Sequence, residues 1–216
     1  MQFETQPAQY WSNRYRQSNT PWDIGTASPP LTAYFQGKVH REHRILIPGA
    51  GRAHDALWLW RNGFYNTHVL EIAPEPLELL LQQEPHFPKG NLHCEDFFEH
   101  TGTYDLIVEQ TFFCALPPHR RPDYVRKMHE LLTPGGFLMG VLFDFPLNEG
   151  PPFGGSRAEY RALLERYFNI LHLERCYNSI APRAGKELFL EGAKSEHRVS
   201  PRARQAQGTG HRAKET

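Results

Sequence analysis

Short apolar runs alternate with amphipathic stretches along the chain from Arg44 onward. The run Ile45-Leu46-Ile47 ends at a Pro-Gly pair, which predicts a buried strand followed by a turn. Leucines at positions 77, 80 and 81 have the spacing of one face of a helix. By these criteria we predict strands at 45–47, 68–71, 92–94, 104–109 and 137–143 and near 170–177 and 187–191, with helices at 29–35 (capped by Ser28), 53–62, 74–83, 118–132 and 160–168.

The order of these elements predicts the topology of the sheet. Five strands, each followed by a crossover segment, favour a mostly parallel sheet, because each crossover returns the chain in the same direction. Only a loop joins the last two strands, so they are expected to form a hairpin in which one strand runs antiparallel. We therefore expect an α/β fold with a doubly wound, mostly parallel seven-stranded sheet and a C-terminal antiparallel hairpin.

The loop after the first strand is the first candidate for ligand binding, since ligands of such sheets lie beyond the carboxyl ends of the strands. Gly49 permits a tight turn there, and Gly51 permits a close approach of backbone to a ligand. A dinucleotide site requires a third glycine or an alanine where this chain has His54, which disfavours NAD(P) and FAD. The phosphate-binding pattern GxxxxGK[ST] does not occur in the sequence. S-adenosylmethionine has no phosphate and is compatible with the looser loop.

Acidic residues after the next two strands extend this candidate site. Glu71 ends the second predicted strand, where a carboxylate accepts hydrogen bonds from both ribose hydroxyls of a nucleoside. The alternative is a surface acid at a strand end. Asp96 and Phe97 follow the third strand. Asp96 is placed to accept a hydrogen bond from the adenine amino group, and Phe97 to pack on the adenine ring, although capping a helix is nearly as good an explanation of Asp96.

Composition narrows the class of protein. The 216 residues carry 24 Lys and Arg against 24 Asp and Glu, and this balance does not favour a nucleic-acid partner. The last 22 residues, 195–216, are basic and poor in large apolar side chains, so we expect a disordered tail, most simply a solvated one.

The three cysteines form no CxxC pair, no apolar run resembles a signal peptide, and none reaches the length of a membrane span. We expect a cytoplasmic monomer. No metal site is predicted, because His40 and His43 lack a second pair at ligand spacing.

Four motifs together resemble the thiopurine S-methyltransferase family, and most closely its thiol, halide and thiocyanate methyltransferase members. The resemblance extends over about residues 10–194. The motifs are Asn-Thr-Pro-Trp-Asp-Ile-Gly at 19–25, Ile-Pro-Gly-Ala-Gly at 47–51, Thr-Phe-Phe-Cys-Ala-Leu at 111–116 followed by Arg121-Pro122, and Gly-Pro-Pro-Phe at 150–153. A parallel sheet that ends in a hairpin is also the usual architecture of class I methyltransferases.

The resemblance implies a methyltransferase domain over 1–194, in which the aromatic segment 1–36 covers a site for S-adenosylmethionine. The residues that it assigns to this site are Trp11, Tyr15, Trp22, Gly49, Glu71, Asp96, Phe97 and Gln110, to which the loop chemistry adds Gly51. Tyr15 stands where tryptophan is common, and Gln110 stands where tyrosine or arginine is expected. The aromatic rings suit a sulfonium cation, although packing of an N-terminal helix is the competing explanation.

The methyl acceptor is expected to be a small soft nucleophile: a thiol, a thiopurine, a halide or thiocyanate. Such acceptors need little or no deprotonation, so the chain mainly has to align the reactants and exclude water. Gln110, Phe112 and Asp144 follow the fourth and fifth strands and are candidates for the acceptor side. Asp144 is equally suited to be a base or to cap a turn. Two alternatives are an N- or O-methyltransferase for another small metabolite, and a non-catalytic module that binds the cofactor or a partner.

Overall fold

The computed structural model describes residues 2–37 and 39–196, in which seven strands alternate with helices. The helices are α1 (Gln2–Thr5), α2 (Pro7–Arg16), α3 (Pro29–Phe35), α4 (His54–Arg61), α5 (Pro74–Gln83), α6 (Arg121–Leu131) and α7 (Arg157–Leu164). The strands are β1 (Ile45–Pro48), β2 (Thr67–Glu71), β3 (Leu92–Cys94), β4 (Tyr104–Gln110), β5 (Leu132–Phe143), β6 (Phe168–Arg175) and β7 (Glu187–Lys194). All seven predicted strands are therefore present.

The seven strands form one sheet in the order β3-β2-β1-β4-β5-β7-β6. The pairs among β1 to β5 are parallel, whereas β7 runs antiparallel to both β5 and β6. The predicted mostly parallel sheet with a C-terminal hairpin is confirmed. Because the chain winds outward from β1 toward β3 and then returns beside β1 as β4, the strand order reverses between β1 and β4. Ligands of such sheets bind at this point.

Buried side chains form a core on each face of the sheet. On one face, helices α6 and α7 pack against the sheet, and Met128 and Leu164 belong to the same apolar cluster as Leu46. On the other face, Leu57 of α4 and Leu80 of α5 belong to a second cluster. A sheet covered on both faces explains why every residue of β1 and β2 is buried. The doubly wound architecture is thus also confirmed.

Two predicted boundaries are wrong by several residues, and one crossover lacks a helix. Residues 95–103, between β3 and β4, contain a turn at Asp96 and no helix, so four crossovers are helical in the described chain. Helix α7 ends at Leu164, and Phe168 begins β6, because the apolar Tyr167-Phe168 pair serves the strand that follows rather than a further helical turn. Strand β5 begins at Leu132, ahead of the glycines, and its pairing with β4 shifts register between Tyr104 and Leu106.

The C-terminal part of the described chain ends in ordered contacts. Ser195 is buried, and its hydroxyl and its backbone N–H both donate to the carbonyl of Tyr167. Packed structure therefore reaches one residue past the predicted boundary at 194. Residues 197–216 of the predicted tail lie outside the described residues. Among the residues that the structure does describe, no helix combines the length and hydropathy needed to cross a bilayer.

Candidate functional site

A cavity of about 400 Å³ opens at the carboxyl ends of β1, β2 and β4, where the strand order reverses. A volume of this size accommodates a small-molecule ligand. Nine of the residues predicted for the site line this cavity: Trp11, Tyr15, Trp22, Gly49, Gly51, Glu71, Asp96, Phe97 and Gln110. Segments that are as much as 99 positions apart in the sequence thus converge on one site.

The glycine loop and Glu71 are joined by direct hydrogen bonds. Glu71 Oε2 accepts from the backbone N–H of Gly51 at 2.9 Å, and Oε1 accepts from the backbone N–H groups of Ile72 and Ala73 at 2.9 and 3.4 Å. Gly49 and Gly51 both have left-handed φ angles, +57° and +55°. Burial raises the pKa of the Glu71 carboxyl above its ordinary value, against the opposing effect of these N–H donors. Glu71 is therefore a buried acceptor that fixes the loop, not a surface acid.

The N-terminal aromatic residues cover this loop. The ring of Trp22 packs edge-to-face against Trp11 and Tyr15, with centroid distances of 5.3 and 5.9 Å. A Cβ on Gly51 would lie 3.5 Å from the Tyr15 hydroxyl, so these rings lie directly over the loop. Burial raises the pKa of Tyr15 well above its ordinary value, with a further contribution from the nearby Glu71. The rings therefore line the cavity and also pack against one another.

Asp23 ties this aromatic segment to the glycine loop. Its Oδ2 lies 2.9 Å from Arg52 Nε, its Oδ1 lies 2.9 Å from His54 Nε2, and Oδ1 also accepts from the N–H of Gly25. Sequence analysis missed this role, because Asp23 finds its partners about 30 residues away. His54, which argued against a dinucleotide, therefore has a structural partner of its own.

Two arginines hold Trp22 from different sides. The guanidinium carbon of Arg14 lies 4.9 Å from the centroid of the Trp22 ring, and Arg183 donates to the Trp22 carbonyl at 2.7 Å. Both arginines line the cavity. Arg14 thus already makes a cation–π contact with Trp22, and this leaves Trp11 and Tyr15 as the rings better placed for a ligand cation.

The residues at the end of β3 differ in their environment. Asp96 Oδ1 accepts from the N–H of Phe98 at 2.8 Å, so Asp96 stabilises its own turn while it lines the cavity. The ring of Phe97 is almost fully buried and packs against Phe112 and Tyr124. Phe98, which sequence analysis passed over, also lines the cavity, and the Arg120 guanidinium lies 3.9 Å from its ring centroid.

Gln110 offers an unpaired acceptor at the end of β4. Its Oε1 is buried and has no hydrogen-bond partner among the described residues. The next residue, Thr111, has φ of +59°, a conformation rare for a β-branched residue and frequent at functional sites. A buried acceptor left without a partner costs about 1–3 kcal/mol unless a ligand supplies the donor. Gln110 is therefore positioned to accept a hydrogen bond from a bound molecule.

Glu109, directly before Gln110, supports this strained turn from the core side. Glu109 Oε1 accepts from the N–H groups of Phe112 and Phe113 at 2.8 and 2.9 Å, and Oε2 accepts from the Tyr124 hydroxyl. Burial raises the pKa of Glu109 to about 7, although these three hydrogen bonds oppose the shift. The turn that carries Thr111 and Phe112 thus depends on a carboxyl group that titrates near neutral pH.

We predict that replacing Glu109 with Gln changes how stability depends on pH. The folded chain keeps the Glu109 proton up to about pH 7, whereas the unfolded chain loses it near 4.5, so the free energy of unfolding falls as the pH rises between these values. Glu109→Gln removes this loss. The Tm of the variant minus that of the unmodified protein is expected to increase by about 5–10 °C between pH 5 and 7.5, the shift that about 2–3 kcal/mol gives in a domain of this size. Thermal unfolding at several pH values measures the difference, and two parallel Tm profiles would contradict it.

Asp144 is the predicted site residue that the structure does not bring to the cavity. It follows β5, but its Oδ2 lies 2.7 Å from Arg175 Nη2 at the end of β6, and its backbone N–H donates to Lys186. Asp144 is absent from the cavity lining. Because β7 lies between β5 and β6, the hairpin loop closes over this strand end and draws Asp144 into its own ion pair.

A different acid, Asp55, does line the cavity. Asp55 Oδ1 accepts from the N–H of Ser28 at 2.8 Å, and burial raises the Asp55 pKa to about 6, while the nearby Arg183 lowers it. The thiol of Cys114 also lines the cavity, but burial raises its pKa far above the ordinary value, so it stays protonated. Asp55 lies in the first turn of α4, after the glycine loop, where acidic residues are common in any helix. Its position in the sequence therefore did not distinguish it as a site residue.

Comparison with known protein families matches residues 6–196 to the model for thiopurine S-methyltransferase (TPMT). The chain belongs to the thiopurine S-methyltransferase family. It is 30% identical over 188 residues to the probable thiol methyltransferase 2 of Arabidopsis thaliana, with 82% of this chain and 81% of that protein covered. It is 26% identical over 205 residues to the thiopurine S-methyltransferase of Vibrio vulnificus (strain YJ016), with 86% and 92% covered.

The fold agrees with this membership. The crystal structure of the Burkholderia thailandensis 1,6-didemethyltoxoflavin-N1-methyltransferase, with bound 1,6-didemethyltoxoflavin and S-adenosylhomocysteine, matches with a TM-score of 0.69 and 19% identity, covering 88% of this chain and 87% of that one. This member of the thiopurine S-methyltransferase family is therefore an S-adenosylmethionine-dependent methyltransferase with the class I fold.

The residues present fit S-adenosylmethionine. This cofactor carries a cationic sulfonium, which aromatic faces attract, and an ammonium group and two ribose hydroxyls, which donate hydrogen bonds to acceptors. It has no phosphate that would require a phosphate-binding loop. The cavity supplies the unpaired Oε1 of Gln110, the carboxylate of Glu71 and the rings of Trp11 and Tyr15. We predict that Gln110 accepts a hydrogen bond from the ammonium group and that Glu71 accepts from the ribose hydroxyls.

Proposed function

We propose that this thiopurine S-methyltransferase family member methylates a small soft nucleophile, a thiol, thiopurine, halide or thiocyanate. The observation that carries the proposal is the wall of the cavity beyond Gln110. Its side chains are mostly apolar, and they come from two loops and from the end of β5: Phe112, Cys114, Leu116, Phe143, Pro151 and Pro152. Polarisable sulfur and heavy halides lose little hydration free energy on entering such a pocket, whereas a strongly hydrated acceptor loses much more.

The names of related proteins support the same acceptor class. One relative is a probable thiol methyltransferase, and another, from Brassica oleracea, is a thiocyanate methyltransferase that is 30% identical over 184 residues. Arg183 lies in the cavity wall at 2.7 Å from the Trp22 carbonyl and 5.3 Å from the Phe143 ring. Its positive charge, offset in part by Glu187 Oε1 at 3.3 Å from Nη1, favours an anionic acceptor, such as a thiolate or thiocyanate, over a neutral one.

The chain contributes alignment and exclusion of water. When bound, S-adenosylmethionine supplies an activated methyl group on its sulfonium. Glu71 and the glycine loop hold the nucleoside end, and the rings of Trp11 and Tyr15 cover it, so water is displaced from the reacting centre. The apolar wall around Phe143 then presents the acceptor from the opposite side. No proton has to leave a halide, thiocyanate or thiolate, so the turnover of these acceptors requires no general base.

A second candidate, transfer to oxygen or nitrogen of another small metabolite, is favoured by one observation. Asp55 lines the cavity, and its pKa of about 6 suits a base at neutral pH. Its Oδ1 is occupied by the Ser28 N–H, so only Oδ2 would take a proton. An alcohol or amine acceptor would depend on this group, whereas a thiolate would not.

An acceptor panel with two acid variants separates these functions. The protein is incubated with methyl-labelled S-adenosylmethionine and with thiols, a thiopurine, iodide, thiocyanate, a phenol or an amine. We expect transfer to the sulfur and halide acceptors, less than about a threefold loss of kcat in Asp55→Asn, which keeps the Ser28 hydrogen bond, and no loss in Asp144→Asn. Transfer to the phenol or amine alone, with a loss of more than about 100-fold in Asp55→Asn, would establish the second candidate instead.

Tight binding of the cofactor without transfer to any acceptor would favour a non-catalytic module.

The proposal also covers the location and the oligomeric state of the protein. We propose that the protein works as a monomer in the cytoplasm and without a nucleic-acid partner, supported by its three free cysteines and its balanced charge. Apart from Ser195, which packs against Tyr167, the tail 195–216 remains predicted to be solvated.

A further inference from the structure

Three metal-ligating side chains meet at the outer edge of the sheet, on β3 and the turn that follows it. His93, Glu95 and His100 each offer one ligand atom, and these atoms lie within 4.8 Å of one another. His93 belongs to β3, whereas Glu95 and His100 flank the turn at Asp96. No other group of this kind occurs in the part of the chain that the structure describes. The cluster is not used by the methyl-transfer site, although Glu95 reaches the rim of the cavity.

The spacing is close to that of a tetrahedral metal centre. Ligand atoms at about 2.1 Å from a zinc ion lie about 3.4 Å from one another. Glu95 Oε1 and His100 Nδ1 already lie 2.6 Å apart, and the widest separation in the trio, up to 4.8 Å, needs to shrink by little more than 1 Å. Two imidazoles and one carboxylate form a ligand set that zinc commonly takes, with a fourth position left for water.

The nitrogen of His100 that is not offered to an ion already has a partner. His100 Nε2 lies 2.7 Å from the hydroxyl of Tyr104, and both rings are buried. Histidine ligands usually donate their second ring N–H to such a partner, which fixes the orientation of the ring. His93 contacts His68, whose Nδ1 lies 3.1 Å from His93 Nε2, and the two rings stack. With the His68 proton on Nε2, 3.3 Å from Asn66 Oδ1, His68 Nδ1 accepts from His93 Nε2, and His93 Nδ1 is left for the ion.

The charges around the cluster allow a divalent cation. Arg44 is the nearby cation, and its Nε lies 3.1 Å from His68 Nε2. His68 is a supporting residue rather than a ligand, because its two ring nitrogens face His93 and Asn66. The carboxylate of Glu95 offsets the charge of Arg44, and a bound ion would replace the single hydrogen bond from His100 with a stronger interaction.

We propose that His93, Glu95 and His100 form a binding site for a divalent transition-metal ion, with zinc as the fitting probe. The ion would join β3 to the far end of the turn that carries Asp96 and Phe98, both of which line the cofactor cavity. The site would therefore stabilise this turn. It is independent of which acceptor the enzyme methylates.

Zinc titration of the whole 216-residue chain tests the site. The protein is stripped with a chelator and exchanged into chelator-free buffer, and zinc chloride is added in a calorimeter. We expect one ion per chain and a rise in Tm on zinc addition. His93→Ala and Glu95→Gln should weaken binding by at least about tenfold. Glu95 is exposed, so its substitution leaves folding intact and keeps the test valid if His100→Ala unfolds the chain.

His40→Ala is the matched control, because His40 and His43 form the surface pair that lies outside the cluster. This variant should bind zinc as the unmodified protein does. The proposal is overturned by any of three results: no zinc binding, zinc binding that His93→Ala and Glu95→Gln leave unchanged, or binding that His40→Ala abolishes.

Discussion

Gly49→Ala is expected to lower the free energy of unfolding by about 2–5 kcal/mol, because two costs add at this position. Gly49 has a φ of +57°, a conformation that costs an L residue about 1–2 kcal/mol. A Cβ there would also lie 2.3 Å from Cδ2 of Phe112, so the ring must move. Displacement of Phe112 within a packed wall typically costs about 1–3 kcal/mol more. Since Phe112 lines the cavity, the affinity for S-adenosylmethionine should fall as well.

Gly25→Ala provides the control for the backbone cost alone. Gly25 has a φ of +72°, and, its own chain neighbours aside, no heavy atom of the described residues lies within 4 Å of the position that its Cβ would take. The two variants therefore share the conformational cost and differ in the clash with Phe112. Chemical denaturation should give a loss of about 1 kcal/mol for Gly25→Ala. Equal losses in the two variants would show that Phe112 moves aside freely and that the close packing at Gly49 is unimportant.

Glu71→Gln is expected to weaken the binding of S-adenosylmethionine by about 10- to 100-fold, equivalent to about 1.4–2.7 kcal/mol. The carboxylate accepts on both oxygens: one receives the Gly51 N–H, and the other receives the N–H groups of Ile72 and Ala73. An amide accepts on one side only, so its NH₂ group must face a backbone donor. The glycine loop or the start of α5 is then displaced, and the ribose loses a charged acceptor.

Calorimetric titration with S-adenosylmethionine, below the Tm of the variant, measures this effect. Glu78→Gln is a suitable control, because Glu78 is an exposed acid on α5, the helix that follows Glu71, and its substitution makes the same change of charge away from the cavity. Its dissociation constant should equal that of the unmodified protein. An unchanged constant in a folded Glu71→Gln variant would remove Glu71 from the cofactor site and leave it as a support for the loop alone.

Most of the fold was predictable because its signals are local. The run Ile45-Leu46-Ile47 and the leucines of α5 identify a buried strand and a helix from the spacing of apolar positions within one element. The loop at Gly49 and the acid at Glu71 follow their strands directly, so the topology alone places them at one end of the sheet. For these residues, the position in the sequence determines the position in the site.

The acceptor side was less predictable, since it depends on which side chains meet across the fold. Asp144 follows its strand as Glu71 does, yet it pairs with Arg175, 31 positions later. Asp55 and Phe98 line the cavity although no motif distinguished them, and Asp23 holds the covering segment through residues of the glycine loop. Only the packing of the hairpin loop and the N-terminal segment decides which of these groups faces a ligand.

Local patterns along the chain specify the doubly wound sheet, the antiparallel hairpin and the glycine loop with its carboxylate, because hydrophobic periodicity and turn chemistry act over a few neighbouring residues. Folding is needed to pair Asp144 with Arg175, to leave the buried Gln110 acceptor without a partner among the described residues, and to bring His93 to His100. Hydrogen bonds and ion pairs act over a few ångströms, and only the folded chain brings distant side chains within that range.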